Sequence, residues 1–156
     1  MEYKHNNGGP EEIGEYISAL ANSAALHGKA KAYMLWGIDD LTHQIIGTNF
    51  SPRQKKIGNE ELENWLLRQL EPKVDFYFHE LEVENHSVAL LEIDAAFRHP
   101  VRFKTQKFIR VGSYKKKLKD VPEKERKLWK FFDSEPFESR IAAENQSVEN
   151  TLALLN

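Results

Sequence analysis

The residues of this chain that could do chemistry fall into two groups: carboxylates near its start and cations between Arg98 and Lys130. Glu2 and Lys4 are two apart, so on an extended strand their side chains share a face. Asp39 and Asp40 close the apolar run from Tyr33 to Ile38, and either joins that face if the run lies beside the first strand. Two or three carboxylates with a lysine suit a magnesium or manganese ion and phosphodiester cleavage, because hard cations prefer oxygen ligands. The same pair, Asp39 and Asp40, equally suits a solvated turn between strands.

From Arg98 to Lys130 the chain carries 13 basic residues against three acidic ones, a net plus 10 that leaves minus 12 for the rest of a chain whose total is minus 2. Such polarisation concerns partners, not fold. It suits a polyanion, or an acidic surface of the same chain or of a sister chain. On the first reading Arg98, Arg102, Lys104, Lys107, Arg110, Lys115, Lys116, Lys117 and Lys119 contact nucleic-acid phosphates with little base discrimination, on DNA or RNA. Phe97, Phe103, Phe108 and Tyr114 interleave with these charges. Rings so placed either stack on unpaired bases or pack into the core, and strand alternation divides them between the two.

Other chemistries lack their residues. With no cysteine there is no disulfide framework, thiolate zinc site or cysteine nucleophile, and a reducing cytoplasm is the expected compartment. Lys29 follows Gly28, but Ala30 stands where a phosphate loop needs Ser or Thr and Ser23 where it needs the first glycine, so ATP hydrolysis is not expected of this segment. The six histidines form no i, i+4 pair on an expected helix, and no Gly-x-Ser-x-Gly occurs. No apolar run reaches the roughly 18 residues of a membrane span, so no membrane partner is expected. A chain of 156 residues suits one domain with a single core.

The elements that must position these residues follow from periodicity. Pro10 opens a helix with Glu11 and Glu12 in its first turn and Ile13, Ile17, Leu20 and Ala24 as one buried stripe. The run Tyr33 to Ile38 is a buried strand, and Gln44 to Thr48 a short second one joined to it as a hairpin. Asn59 caps a helix burying Leu62, Trp65, Leu66 and Leu70, which Pro72 stops. Asp75 to Val83 is a strand whose alternation changes phase, predicting a bulge near His79; Val88 to Asp94, Val101 to Thr105 and Phe108 to Val111 are further strands. Asp120 and Glu123 form a capping box for a helix burying Leu128, Trp129 and Phe132, and two later helices are expected over 137–144 and 148–155.

Taken in order, Glu2-Tyr3-Lys4, the run Ile17 to Ser23, the run Trp36 to Asp40, Ile46-Gly47 and the run Ile109 to Ser113 resemble the Schlafen AlbA-like domain, formerly labelled a divergent AAA domain. The resemblance covers about residues 2–119. It implies a DNA-binding module of the kind found at the N-terminus of longer bacterial transcriptional regulators and helicase-related proteins. Animal relatives include endoribonucleases that use three carboxylates and a divalent metal. Two of those positions match Glu2 and Asp40 here, and the third would lie ahead of Met1. The resemblance also raises a homodimer, because those relatives pair two such lobes around a groove.

The expected fold is α+β: a mixed, mostly antiparallel sheet packed by helices, with residues 1–119 as the nucleic-acid-binding domain and 120–156 as a helical extension toward a downstream region. The expected function is nucleic-acid binding that needs no cofactor. The first alternative is a nuclease in which Glu2 and Asp40 hold magnesium or manganese and Lys4 stabilises the scissile phosphate. A protein-interaction module is the second.

Overall fold

Pro10 fixes the first helical φ, Glu11 and Glu12 stand at the positive end, and after Glu15 no charged residue occurs before Leu26 closes α1 (Pro10–Leu26). The sequence pattern predicts one buried stripe. In the computed structural model, which describes residues 1–6 and 8–134, α1 is instead buried almost all round, with Gly14, Ser18, Ala19, Ala21, Asn22 and Ala25 enclosed beside Ile13, Ile17 and Leu20. The reason is architectural: α1 lies between two sheets. Its small side chains let strands approach from both sides.

The first sheet has the order β1-β2-β7-β6, built from β1 (Glu2–Lys4), β2 (Lys31–Trp36), β6 (Phe76–Val83) and β7 (His86–Asp94). Strand β1 runs parallel to β2 and the other pairs are antiparallel. The second sheet, all antiparallel, has the order β10-β9-β8-β5, from β5 (Leu70–Glu71), β8 (Arg102–Phe103), β9 (Gln106–Val111) and β10 (Tyr114–Lys117). A small hairpin of β3 (Lys56–Ile57) and β4 (Glu60–Glu61) leads into α2 (Leu62–Gln69), while a 3-10 turn (Leu118–Asp120) leads into α3 (Pro122–Ser134). The α+β class and the C-terminal helix match the expectation.

Several local expectations are corrected. Strands β6 and β7 pair in unbroken register from Phe76 opposite Ile93 to Val83 opposite His86, so no bulge interrupts them at His79. Strand β6 is an edge of its sheet, where alternation is weakly enforced, and the phase change needs no extra residue. Asn59 belongs to the turn of the β3–β4 hairpin, and α2 begins only after Glu61. Gln44 to Thr48 forms no strand, only a bridge between Ile38 and Ile45. Val101 to Thr105 contracts to the two residues of β8. Asp120 lies in the 3-10 turn; the carbonyl of Val121 instead accepts from the amides of Lys124 and Glu125. In α3 only Leu128 is fully buried, whereas Trp129 is exposed. The helices expected over 137–144 and 148–155 lie outside the described residues.

Candidate nucleic-acid interface

Three polar residues of α1 hold the second sheet in place. Ser18 and Asn22, one helical turn apart, face the backbone of Val101 and Phe108. The Ser18 hydroxyl donates to the Val101 carbonyl at 2.7 Å and accepts from the Phe108 amide at 3.0 Å. Asn22 donates to the carbonyls of Val101 (2.9 Å) and Phe108 (2.8 Å) and accepts from the Val101 amide at 2.8 Å. Ser23 accepts from the Arg110 amide at 3.0 Å. A helix side chain thus replaces missing sheet partners, which fixes where β9 and its cations lie.

Strand β9 then turns into β10 through Gly112 and Ser113. Gly112 has φ 63°, the first central position of a two-residue turn that favours glycine. The register sets Lys115 opposite Arg110, Lys116 opposite Ile109 and Arg102 opposite Lys107. By strand alternation Arg102, Lys107, Lys116 and Tyr114 share the face turned away from α1, while Arg110 and Lys115 are turned toward it.

The structure therefore divides the nine expected phosphate contacts. Lys104 is ion-paired with Glu11, Lys115 with Glu15 at 2.8 Å and Arg110 with Glu2 at 3.0 Å. Arg98, Arg102, Lys107, Lys116, Lys117 and Lys119 pair with no carboxylate among the described residues, and all but the half-buried Lys107 are exposed. Sequence reasoning offers an acidic surface of the same chain as one partner of the basic segment but does not pick out Glu2, Glu11 and Glu15 in that role. Their signal was present, since Glu11 and Glu15 stand at i, i+4 on one face of α1. The interleaved rings divide too: Phe103 and Phe108 are core, whereas Phe97 and Tyr114 are exposed, with the Arg98 guanidinium 5.1 Å from the centre of the Phe97 ring.

The carboxylate group has a different character. Glu2 is buried, with Arg110 on one side and Lys4 Nζ 3.9 Å away on the other. Its Oε2 lies beside Arg110 Nη2, yet neither it nor Arg110 Nε has a well-directed hydrogen bond among the described residues. Burial pushes the Glu2 carboxyl above its ordinary value, Arg110 and Lys4 pull it down, and the negative charge of nearby Asp40 raises it again. Lys4 also donates to Glu12 at 2.9 Å; burial works against its ammonium, but this bond and the surrounding negative charges hold its pKa above the usual value. Lys4 and Lys115 lie 4.8 and 4.7 Å from the centre of the Tyr16 ring. Asp39 is a turn residue: its Oδ1 accepts from the amides of Leu41 and Thr42, both at 2.9 Å, and these bonds lower its pKa. Asp40 is exposed.

Glu2 and Asp40 are thus electrostatic neighbours, but their surroundings do not fit a divalent cation. The Glu2 carboxylate is already compensated by two cations, and no group of three His, Asp or Glu side chains among the described residues could hold a metal ion.

An α+β domain with two sheets around a central helix and an unpaired cationic face defines the class. A family model described as Schlafen, AlbA_2 matches residues 1–119, and the chain belongs to that family. No curated protein matches it. Among solved structures, the crystal structure of the DIP2311 protein from Corynebacterium diphtheriae is similar over 74% of this chain and 21% of its own, with 18% identity and a TM-score of 0.49. The chain spans about a fifth of that protein. Among the described residues no helix is long and apolar enough to cross a membrane.

Proposed function

We propose that this domain binds nucleic acid, DNA first, as a module of a transcriptional regulator or helicase-related protein, and that it does so through phosphate contacts from Arg98, Arg102, Lys107, Lys116, Lys117 and Lys119. Family membership is consistent with this reading. The observation that carries it is the register, which sets Arg102 opposite Lys107 and places Lys116 diagonally from Lys107, opposite the enclosed Ile109, on one face of β8, β9 and β10 with no carboxylate paired to these cations among the described residues. Glu71, opposite Arg102, bounds that row on the β5 side. Unpaired cations attract a polyanion because binding releases its condensed counterions. Lys104, Arg110 and Lys115 then serve to brace the second sheet against α1 and β1.

The test is a salt titration of fluorescence anisotropy on duplex DNA. If about six phosphates are neutralised, log affinity falls against log salt with a slope of about −5. A flat profile would sink the reading.

A further inference from the structure

We propose that Tyr114 is a stacking platform for an unpaired base, so that the ligand of this face is single-stranded nucleic acid; this rests on the reading of the preceding subsection. Tyr114 is 71% exposed, the most exposed aromatic ring among the described residues. Its backbone is fixed as the first residue of β10, opposite Val111 and directly after the Gly112–Ser113 turn. A tyrosine side chain has only two χ angles to order when a base covers it. Lys116 stands two residues along the same face, a rise of about 6.8 Å. One nucleotide can therefore set its base on the ring and its phosphate against the ammonium, with Lys107 and Arg102 continuing the row for the neighbouring phosphates.

In a duplex the bases are already stacked on one another, and the ring has no free π-face to engage unless the strands open. Stacking on an aromatic side chain is tolerant of base identity, since every base has such a face. Phe103 and Phe108 cannot serve, being 3% and 8% exposed.

The experiment uses the whole 156-residue chain and oligothymidine, oligouridine, an abasic deoxyribose-phosphate oligomer and a duplex, all of about twelve nucleotides per strand. Tyr114→Ala is expected to weaken both single strands by roughly 5- to 150-fold, corresponding to about 1–3 kcal/mol per stacked base. Duplex and abasic binding should change less than about twofold, and Tyr114→Phe, which keeps the ring, should bind like the wild type. Loss on only one of the two single strands would contradict a base-tolerant stacking platform. If Tyr114→Ala leaves single-strand affinity intact, or weakens duplex and abasic binding as much, the stacking proposal fails while salt-dependent binding can stand. If the wild type binds none of the four, both readings fail.

Discussion

The side-chain amide of Asn22 pairs with the Val101 backbone in both directions, donating to its carbonyl at 2.9 Å and accepting from its N–H at 2.8 Å. Such two-way pairing is what a neighbouring strand would provide, here supplied by a helix. Because Asn22 also reaches the Phe108 carbonyl, one buried side chain ties the approach to β8 to the middle of β9. Replacing it with alanine leaves the Val101 N–H and the Phe108 carbonyl without that partner, while Ser18 still serves the Val101 carbonyl. Two orphaned buried groups cost about 2–6 kcal/mol, at about 1–3 kcal/mol each. Urea unfolding of Asn22→Ala should show a lower midpoint with an unchanged m-value, and a loss below about 0.5 kcal/mol would contradict the clamp.

The division of the cations predicts a division in salt dependence. Lys116 and Lys117 are exposed and unpaired with carboxylates among the described residues, so Lys116→Gln with Lys117→Gln should flatten the log–log salt slope by about 1.8, roughly 0.9 for each lost phosphate contact. Lys115 is committed to Glu15, and Lys115→Gln should leave the slope almost unchanged. Equal effects from the two variants would show that the ion pair opens on binding.

Glu2 makes a signed prediction about pH. Burial raises its folded pKa above the unfolded value, so between those two values the folded state holds the extra proton. Stability then falls as pH rises through that window, starting at the ordinary carboxylate range. In Glu2→Gln this contribution is absent, and the stability of the variant relative to the wild type should climb across the same window. Thermal melts at several pH values measure the difference, and a variant curve parallel to the wild type would overturn the assignment.

Gly14 lies where α1 meets the Phe103 ring, and a Cβ there would come within 2.1–2.6 Å of three ring atoms. The ring is enclosed, 3% exposed and packed near Trp65, so it has little room to withdraw. Gly14→Ala gains helix propensity of about 1 kcal/mol but meets an overpacking cost of about 1–3 kcal/mol. Net destabilisation is expected, read as a lowered melting temperature. A stabilised variant would mean that the helix and β8 can separate without penalty.

The sequence was most legible where one residue decides a local geometry. Pro10 starts α1 and Gly112 turns the β9–β10 hairpin, each for a reason visible in its own covalent structure. Periodicity was less informative for α1, because a helix enclosed by two sheets loses its polar stripe and Ser18 and Asn22 are buried as completely as Ile17. The sites were only half legible. Like-charged residues such as Lys115 and Lys116 are adjacent in sequence, yet strand alternation sends one to Glu15 and the other to the opposite face. The partner of Lys115 lies 100 positions away, and no local pattern brings Glu15 to it.

The compensation of Glu2 leads to the last prediction. A divalent cation at Glu2 and Asp40 would have to displace Arg110, 3.0 Å from Glu2, and sit beside Lys4, paying the cost of two nearby positive charges. Millimolar manganese should therefore leave the melting temperature within about 1 °C, since an ion that does not bind the folded state cannot stabilise it. Incubated with transfer RNA or single-stranded DNA and manganese, the wild type should release no more product than Asp40→Asn. Cleavage present in the wild type and abolished in Asp40→Asn would show that Arg110 yields its place, and would make this cluster a nuclease centre instead of a structural ion network.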